Sequence, residues 1–191
     1  MRLILASASP RRKEILLSAG FDIEICPSAI DEAPLVGESP EAFARRAARD
    51  KALSVAASVD RGSLVLGADT IVVAGEEILG KPQDAADAAR MLRKLSGISH
   101  QVITGVCLVR APEEVQALTH ETTVVTFRAL DDDEISSYVA SGEPMDKAGA
   151  YGIQGLASKF VTRVEGCYFN VVGLPVALVY DLLKSLPAFT P

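Results

Sequence analysis

Short apolar runs and apolar–polar alternation predict the strands of this chain. The first is an apolar run at residues 2–6. A longer apolar run covers residues 64–73, where we expect the Gly-Ala-Asp-Thr segment at 67–70 to interrupt the strand. The remaining predicted strands lie at residues 21–26, 102–109, 119–127 and 160–164.

Helix signals stand between these strands. Ser9-Pro10 combines a capping side chain with a first-turn proline, and Gly20 ends the predicted helix. Ser39-Pro40 opens a second helix in the same way. Further helices are predicted from an apolar stripe before Gly97, from a capping box at Asp131 and Glu134, and over residues 174–186. Because strands and helices mix and some strands are adjacent, we predict an α/β fold with a mixed sheet.

Composition narrows the classes of protein that this chain could be. A length of 191 residues suits a single domain, and we treat residues 1–191 as one. The net charge of −6 disfavours binding to nucleic acid or to an anionic membrane, so an anion site would need a local cluster of cations. We expect the widely spaced Cys26, Cys107 and Cys167 to be reduced thiols. The first residues lack a signal-peptide pattern and no apolar run reaches membrane-span length, which predicts a cytoplasmic protein.

The segment from Ser7 to Lys13 contains an electrostatic conflict. Arg11, Arg12 and Lys13 fall in the first turn of a helix, where the macrodipole disfavours cations. A bound polyphosphate would remove the conflict, because helix N–H groups, hydroxyls and arginine forks all suit phosphate oxygens. The alternative is a capped helix whose arginines point into solvent. We favour phosphate binding.

Isolated acidic and basic residues add a second set of candidates. Asp69 lies within an apolar strand, where a carboxylate is costly unless it is paired, hydrogen-bonded or metal-bound. Gly67 and Ala68 leave little bulk beside it, which would let a ligand approach. Glu32, Lys51 and Lys81 are individually weak candidates. Together with Asp69 they would supply cations for phosphates and two acidic segments for Mg²⁺, which needs few carboxylates. His100 and His120 have no zinc-ligand spacing.

The motifs along the chain, taken in order, resemble the Maf family of nucleoside triphosphate pyrophosphatases over nearly the whole length. The matching stretches are LASASPRR at 5–12, GADTIV at 67–72, GKPQDAADAARMLRKLSG at 80–97, HQVITGV at 100–106, VTFRAL at 125–130, SGEPMDKAGAYGIQG at 141–155 and NVVGLP at 170–175. The resemblance implies a twisted mixed β-sheet flanked by helices, with two lobes around a substrate cleft. It also implies a divalent metal, Mg²⁺ first and Mn²⁺ or Co²⁺ as alternatives, and a homodimer.

The implied reaction is hydrolysis of a nucleoside triphosphate between its α- and β-phosphates to the monophosphate and pyrophosphate. The resemblance assigns Asp69 as the acceptor of the attacking water's proton. Glu32 would orient metal or water, so that Glu32 and Asp69 form the metal set. Phosphate contacts are implied for Ser7, Arg12, Lys51 and Lys81, with Lys81 counted among the catalytic residues.

Base selection is implied for Arg11, Thr70 and Gln154, and the SGEP-containing motif resembles the branch that acts on dTTP and UTP. The amide of Gln154 offers a donor and an acceptor that match O4 and N3–H of uracil or thymine. Two alternatives stay open: specificity for 7-methyl-GTP, and a regulatory role through a cell-division partner, since Maf-like proteins are associated with inhibition of septum formation. We expect Asp146 and Lys147 to pair and shape their loop.

Overall fold

The computed structural model describes residues 3–30 and 33–186, which form seven strands and six α-helices. The strands are β1 Leu3–Leu5, β2 Ile23–Ile25, β3 Leu64–Ala74, β4 Glu77–Leu79, β5 Ser99–Arg110, β6 Glu114–Phe127 and β7 Val161–Glu165. The helices are α1 Pro10–Ser18, α2 Pro40–Ala56, α3 Ala85–Leu95, α4 Asp132–Ala140, α5 Tyr168–Val172 and α6 Val176–Lys184.

All seven strands belong to one mixed sheet, which confirms the predicted α/β fold. The strand order is β2-β1-β3-β5-β6-β7, and β4 pairs with β3. β1 is parallel to β2 and β3, with Leu5 opposite both Ile25 and Leu66. The β3–β4 and β6–β7 pairs are antiparallel. The carboxyl ends of β2 and β1 therefore lie at the same edge, beside the middle of β3.

The predicted helix starts are confirmed by the capping contacts. Ser9 caps α1 and Ser39 caps α2, each accepting a backbone N–H with its side chain, and proline follows in both. Asp131 and Glu134 form the reciprocal capping box of α4. Local sequence alone therefore determines where these helices begin.

The chain divides into two compact units. The first comprises Met1–Asp69, Thr104–Glu121 and Gly173–Pro191, and the second comprises Thr70–Ile103 and Thr122–Val172. Each unit is therefore assembled from separate stretches of sequence. The predicted cleft between two lobes stays a prediction.

In the first unit, α2 packs against the sheet through alanines spaced four residues apart. Ala44, Ala48 and Ala52 are fully buried. A Cβ added to Gly67 of β3 would lie 2.1 Å from the backbone oxygen of Ala48, and one added to Gly105 of β5 would lie 2.0 Å from that of Ala44. The helix backbone thus lies directly against the strands, which only glycine permits at these two positions.

The second unit has an aromatic core. Phe127 makes edge-to-face contacts with His100, Tyr151 and Phe160, at centroid separations of 5.0, 4.8 and 6.1 Å. The long segment after α4, predicted only as glycine-rich and polar, contains short 3-10 turns at Glu143–Asp146, Ala148–Ala150 and Leu156–Phe160. These turns carry the sequence around the aromatic core.

One prediction about local structure is wrong, and two short elements were missed. β3 runs without interruption from Leu64 to Ala74, because Gly67 and Asp69 face α2 and both find partners there. The strand β4 and the helix α5 were not predicted, since three and five residues are too few to establish a periodicity.

Candidate functional site

The turn from β1 to α1 carries the predicted phosphate cradle. Leu5 and Leu66 are the last paired residues of β1 and β3, and the Ala6 N–H donates to the Leu66 carbonyl at 2.8 Å just before the turn. The Ser7 hydroxyl oxygen accepts the backbone N–H of Ser9 at 3.2 Å and Nη1 of Arg12 at 3.1 Å. Ser7 therefore connects the turn before α1 to the Arg12 side chain, and its hydroxyl group can also donate a hydrogen bond.

Arg12 is buried, although sequence reasoning treated it as a direct phosphate ligand. It is 8% exposed, and its Nε donates to the carbonyl of Gly173 at 2.8 Å. Arg12 thus donates two hydrogen bonds to atoms of the first unit. It anchors the Ser7 turn and also places a positive charge there. Its phosphate contact stays a prediction. Arg11 is half-buried and Lys13 is exposed.

Gly173 was not predicted as a site residue. Its carbonyl is the acceptor that fixes the Arg12 guanidinium, across 161 positions of sequence. A signal was present, because Gly173 lies inside the NVVGLP stretch that matches the Maf family. The sequence could not identify Gly173 as the partner of Arg12, because every residue type has a backbone carbonyl.

The structure brings Lys51 and Asp69 together. Nζ of Lys51, on α2, donates to Oδ1 of Asp69 at 2.7 Å. Both side chains are largely buried, with exposed fractions of 16% and 13%. The cost of placing a carboxylate in an apolar strand is thus offset by a charge-assisted hydrogen bond.

Gly67 explains how α2 reaches Asp69. Residues 67 and 69 point to the same face of β3, and the space beside Gly67 is filled by Ala48 and Ala52. The expectation that Gly67 leaves room for a ligand is therefore wrong, because the helix occupies that room. Close packing brings α2 near enough for Lys51 to contact the carboxylate.

The other cations of α2 are engaged elsewhere in the first unit. The sequence predicts Lys51 on a helix face full of cations, where solvation is the usual explanation. In the structure each arginine contacts a neighbouring side chain, while Lys51 contacts the buried aspartate. The arginine contacts are Arg45 with His120, Arg46 with Glu38 and Arg49 with Asp50.

Three predicted site residues belong to the second unit: Thr70, Lys81 and Gln154. Thr70 is half-buried, and Lys81 and Gln154 are exposed. The Gly80 carbonyl accepts the Gly149 N–H at 3.0 Å, which ties the Lys81 turn to the SGEP-containing loop. The predicted pairing of Lys147 with Asp146 is confirmed at 2.6 Å.

Glu32 lies outside the described residues, so its predicted metal and catalytic roles stay predictions. Within residues 3–30 and 33–186, no group of three or more His, Cys, Asp or Glu side chains could hold a metal ion. Mg²⁺ is often bound by one or two carboxylates, with substrate phosphates and water completing its shell. The chemistry of Asp69 fits such a sparse site and does not fit a protein-only cage.

His100 is a buried titratable group that takes no part in the predicted site. Its Nε2 lies 2.9 Å from the Tyr151 hydroxyl, and its Nδ1 has no hydrogen-bond partner among the described residues. Burial lowers the pKa of His100 to about 4. The imidazole is therefore neutral at physiological pH and acts as part of the aromatic core.

Comparison with known proteins agrees with the geometry. A family model described as "Maf-like protein" matches residues 2–186. A dTTP/UTP pyrophosphatase of Geobacter sulfurreducens is 54% identical over 187 residues, covering 98% of this chain and 97% of that protein. The dTTP/UTP pyrophosphatase of Aquifex aeolicus is 49% identical over 186 residues, covering 97% and 96%.

A solved structure shares the fold. The structure of a HAM1 protein from Coxiella burnetii aligns with a TM-score of 0.50 and 13% identity, covering 97% of this chain and 100% of that one. No helix within the described residues is long and apolar enough to cross a membrane.

Proposed function

The chain belongs to the Maf-like protein family, and we propose that it is a pyrophosphatase that hydrolyses dTTP and UTP to the monophosphate and pyrophosphate. The observation that carries this proposal is the identity of about half of all residues, over nearly the full length, with relatives named dTTP/UTP pyrophosphatase. The buried Lys51–Asp69 contact supports the proposal, because it holds a carboxylate that could accept the proton of the attacking water. The resemblance of the SGEP-containing stretch to the dTTP/UTP branch agrees with both.

In the proposed reaction, Asp69 accepts the proton of the attacking water. The water oxygen bonds to phosphorus, the bond to the oxygen bridging the α- and β-phosphates breaks, and pyrophosphate leaves with the electron pair. Lys51 contacts one carboxylate oxygen at 2.7 Å and fixes the orientation of the base. A positioned base typically contributes a rate factor of about 10²–10⁴.

Binding of the triphosphate is assigned to Ser7, Arg12 and Lys81, with the amino-terminal end of α1. The α1 macrodipole and the arginine charge both favour phosphate at this end. The Gly173 and Ser7 contacts hold the Arg12 guanidinium in one orientation, so binding costs little side-chain entropy there. Lys81 would stabilise charge that develops on the leaving pyrophosphate.

A divalent cation, Mg²⁺ first, is proposed with Asp69 and Glu32 as its carboxylates. When bound, it would supply positive charge against the phosphate oxygens. The contact that Lys51 makes with Asp69 supports a carboxylate that is held in one orientation.

The test is a nucleotide panel with pyrophosphate detection. Purified protein with Mg²⁺ is given dTTP, UTP, CTP and 7-methyl-GTP, and pyrophosphate and orthophosphate are measured separately. We expect pyrophosphate from dTTP and UTP at a higher kcat/KM than from the other two. Orthophosphate alone would reject the proposed bond cleavage, and preferential turnover of 7-methyl-GTP would replace the substrate assignment.

The homodimer, the cell-division partner and the cytoplasmic location rest on the sequence and on the family resemblance. Light scattering of the purified protein at several concentrations tests the dimer. Binding of a division protein that persists in an Asp69→Asn variant would separate a regulatory role from hydrolysis.

A further inference from the structure

Gln154 occupies a tight turn whose ends are both held by side chains. The Gly155 N–H donates to the Gly152 carbonyl at 3.1 Å and closes the turn. Ile153, at the first central position, is only 8% exposed, whereas Gln154 beside it is exposed. Burial of Ile153 fixes the turn to the second unit and leaves Gln154 on its outer side.

Tyr138 and Glu143 form a hydrogen-bonded bracket around this turn. At one end, the Gly152 N–H donates to the Tyr138 hydroxyl at 3.2 Å. At the other end, the Leu156 N–H donates to Oε2 of Glu143 at 3.0 Å. The Tyr138 hydroxyl donates to Oε1 of the same carboxylate at 2.9 Å, which connects the two ends.

Glu143 and Lys147 pack so closely on the turn that positions 155 and 152 have little room for a side chain. A Cβ added to Gly155 would lie 2.2 Å from Oε1 of Glu143, and one added to Gly152 would lie 2.7 Å from Cε of Lys147. Lys147 in turn donates to the Glu143 carbonyl at 2.6 Å. The Glu143 carboxylate therefore lies flat against the turn, where a side chain at position 155 would exclude it.

The Tyr138 hydroxyl of this bracket stays protonated. Tyr138 is 2% exposed, and burial together with the hydrogen bond to Glu143 raises the pKa of its hydroxyl well above the ordinary value. The hydroxyl thus remains a donor to Glu143 while its oxygen accepts the Gly152 N–H. The Tyr138 O–H therefore stays available as a donor at neutral pH.

We propose that Tyr138 and Glu143 are positioning residues for base selection, acting through Gln154. The inference rests on the proposed function, in which the Gln154 amide reads O4 and N3–H of uracil or thymine. An amide can distinguish uracil from cytosine only if its donor and acceptor are held in register with the base edge. The bracket holds the backbone from which the Gln154 side chain projects, without touching the base.

The first test compares kcat/KM for UTP and CTP in Tyr138→Phe and Glu143→Gln. Each variant nearly keeps the side-chain volume. Tyr138→Phe loses both hydrogen bonds of the Tyr138 hydroxyl, and Glu143→Gln replaces one of the two carboxylate acceptors with an amide donor. We expect the UTP:CTP ratio to fall by at least about five-fold in each, the equivalent of one hydrogen bond. Tyr168→Phe is the matched control, because Tyr168 is an exposed tyrosine of the second unit that packs on Phe169, and its ratio should not change.

The second test places both changes in a Gln154→Ala background. If the bracket acts through Gln154, Tyr138→Phe should leave the already reduced UTP:CTP ratio unchanged there, because coupled residues are non-additive. An equal loss of turnover on both nucleotides in the single variants, or the same ratio change with and without Gln154, would overturn the proposal.

Hydrogen exchange of the turn provides a readout independent of activity. The Gly152 amide should exchange about five-fold faster in Tyr138→Phe, because it loses its only acceptor in the bracket there. Unchanged exchange would overturn the bracket itself. Wild-type protein that releases no pyrophosphate from UTP would instead reject the proposed function, so the two failures are distinguishable.

Discussion

Replacing Gly67 with alanine tests whether the close packing of α2 positions the catalytic pair. The new Cβ would lie 2.1 Å from the Ala48 carbonyl oxygen and 2.9 Å from the Ala52 Cβ. Non-bonded carbon contacts are favourable near ~3.5 Å, so the helix would have to move by about 1 Å. The obstacle is backbone, which cannot rotate away as a side chain could.

The expected loss of stability lies at the upper end of the range for overpacked cores. A methyl group forced into a packed core costs about 1–3 kcal/mol, and we expect about 3 kcal/mol here. For a protein of this size that corresponds to a melting temperature lower by roughly 6–12 °C. Since Lys51 moves with α2, kcat on UTP should also fall, by more than about ten-fold for a displacement near 1 Å.

The assay is thermal denaturation together with steady-state release of pyrophosphate. Gly80→Ala is the matched stability control, because the same methyl group would lie more than 4 Å from every described residue apart from the two chain neighbours. We expect it to keep or slightly raise the melting temperature. Equal melting temperatures for the two variants would refute the packing argument. A destabilised Gly67→Ala with wild-type kcat would refute the link from helix position to the Lys51–Asp69 contact.

Three further predictions concern single side chains. Asp69→Asn should lower kcat for UTP by at least about 10²-fold while calorimetry still detects nucleotide binding, because the proton acceptor is removed and the proposed triphosphate contacts of Ser7 and Arg12 remain; unchanged turnover would reject Asp69 as the base. Gln154→Ala should lower the UTP:CTP ratio of kcat/KM more than it lowers triphosphate affinity, and a uniform loss on all nucleotides would point to a structural role. Burial lowers the pKa of His100 from 6.5 to about 4, so the unfolded chain binds the additional proton between these values. The free energy of unfolding should therefore decrease as pH falls from 6.5 to 4, by up to about 3 kcal/mol, and His100→Asn should flatten that slope in denaturant titrations.

Local signals in the sequence predicted much of the fold. Ser9-Pro10, Ser39-Pro40 and the Asp131 capping box act over three or four residues, and each confirmed helix begins at its signal. The continuous β3 was harder to predict, because Gly67 and Asp69 break a strand pattern in isolation. What keeps them in the strand is a helix about 20 residues earlier in the chain, which no local window contains.

In the candidate site, too, the residues were predictable from local sequence and their contacts were not. The sequence predicted Asp69 and Lys51 as separate site residues. Their contact depends on the close approach of the α2 backbone to β3, which only the folded structure reveals. The alanines of α2 at spacings of four residues, together with Gly67 and Gly105, were a readable signal for that approach. Gly173 and the Tyr138–Glu143 bracket act through backbone carbonyls and amides, for which residue identity carries no signature.

The hydrogen bond from Arg12 to Gly173 has a consequence for biosynthesis. Translation produces Arg12 early and Gly173 only after the whole second unit, which ends at Val172, has been made. A nascent chain that already contains Ser7, Lys51 and Asp69 still lacks the acceptor for the Arg12 guanidinium. We therefore expect ribosome-bound or prematurely terminated chains to hold an unfinished phosphate cradle, so that nucleotide hydrolysis begins only once synthesis has passed residue 173.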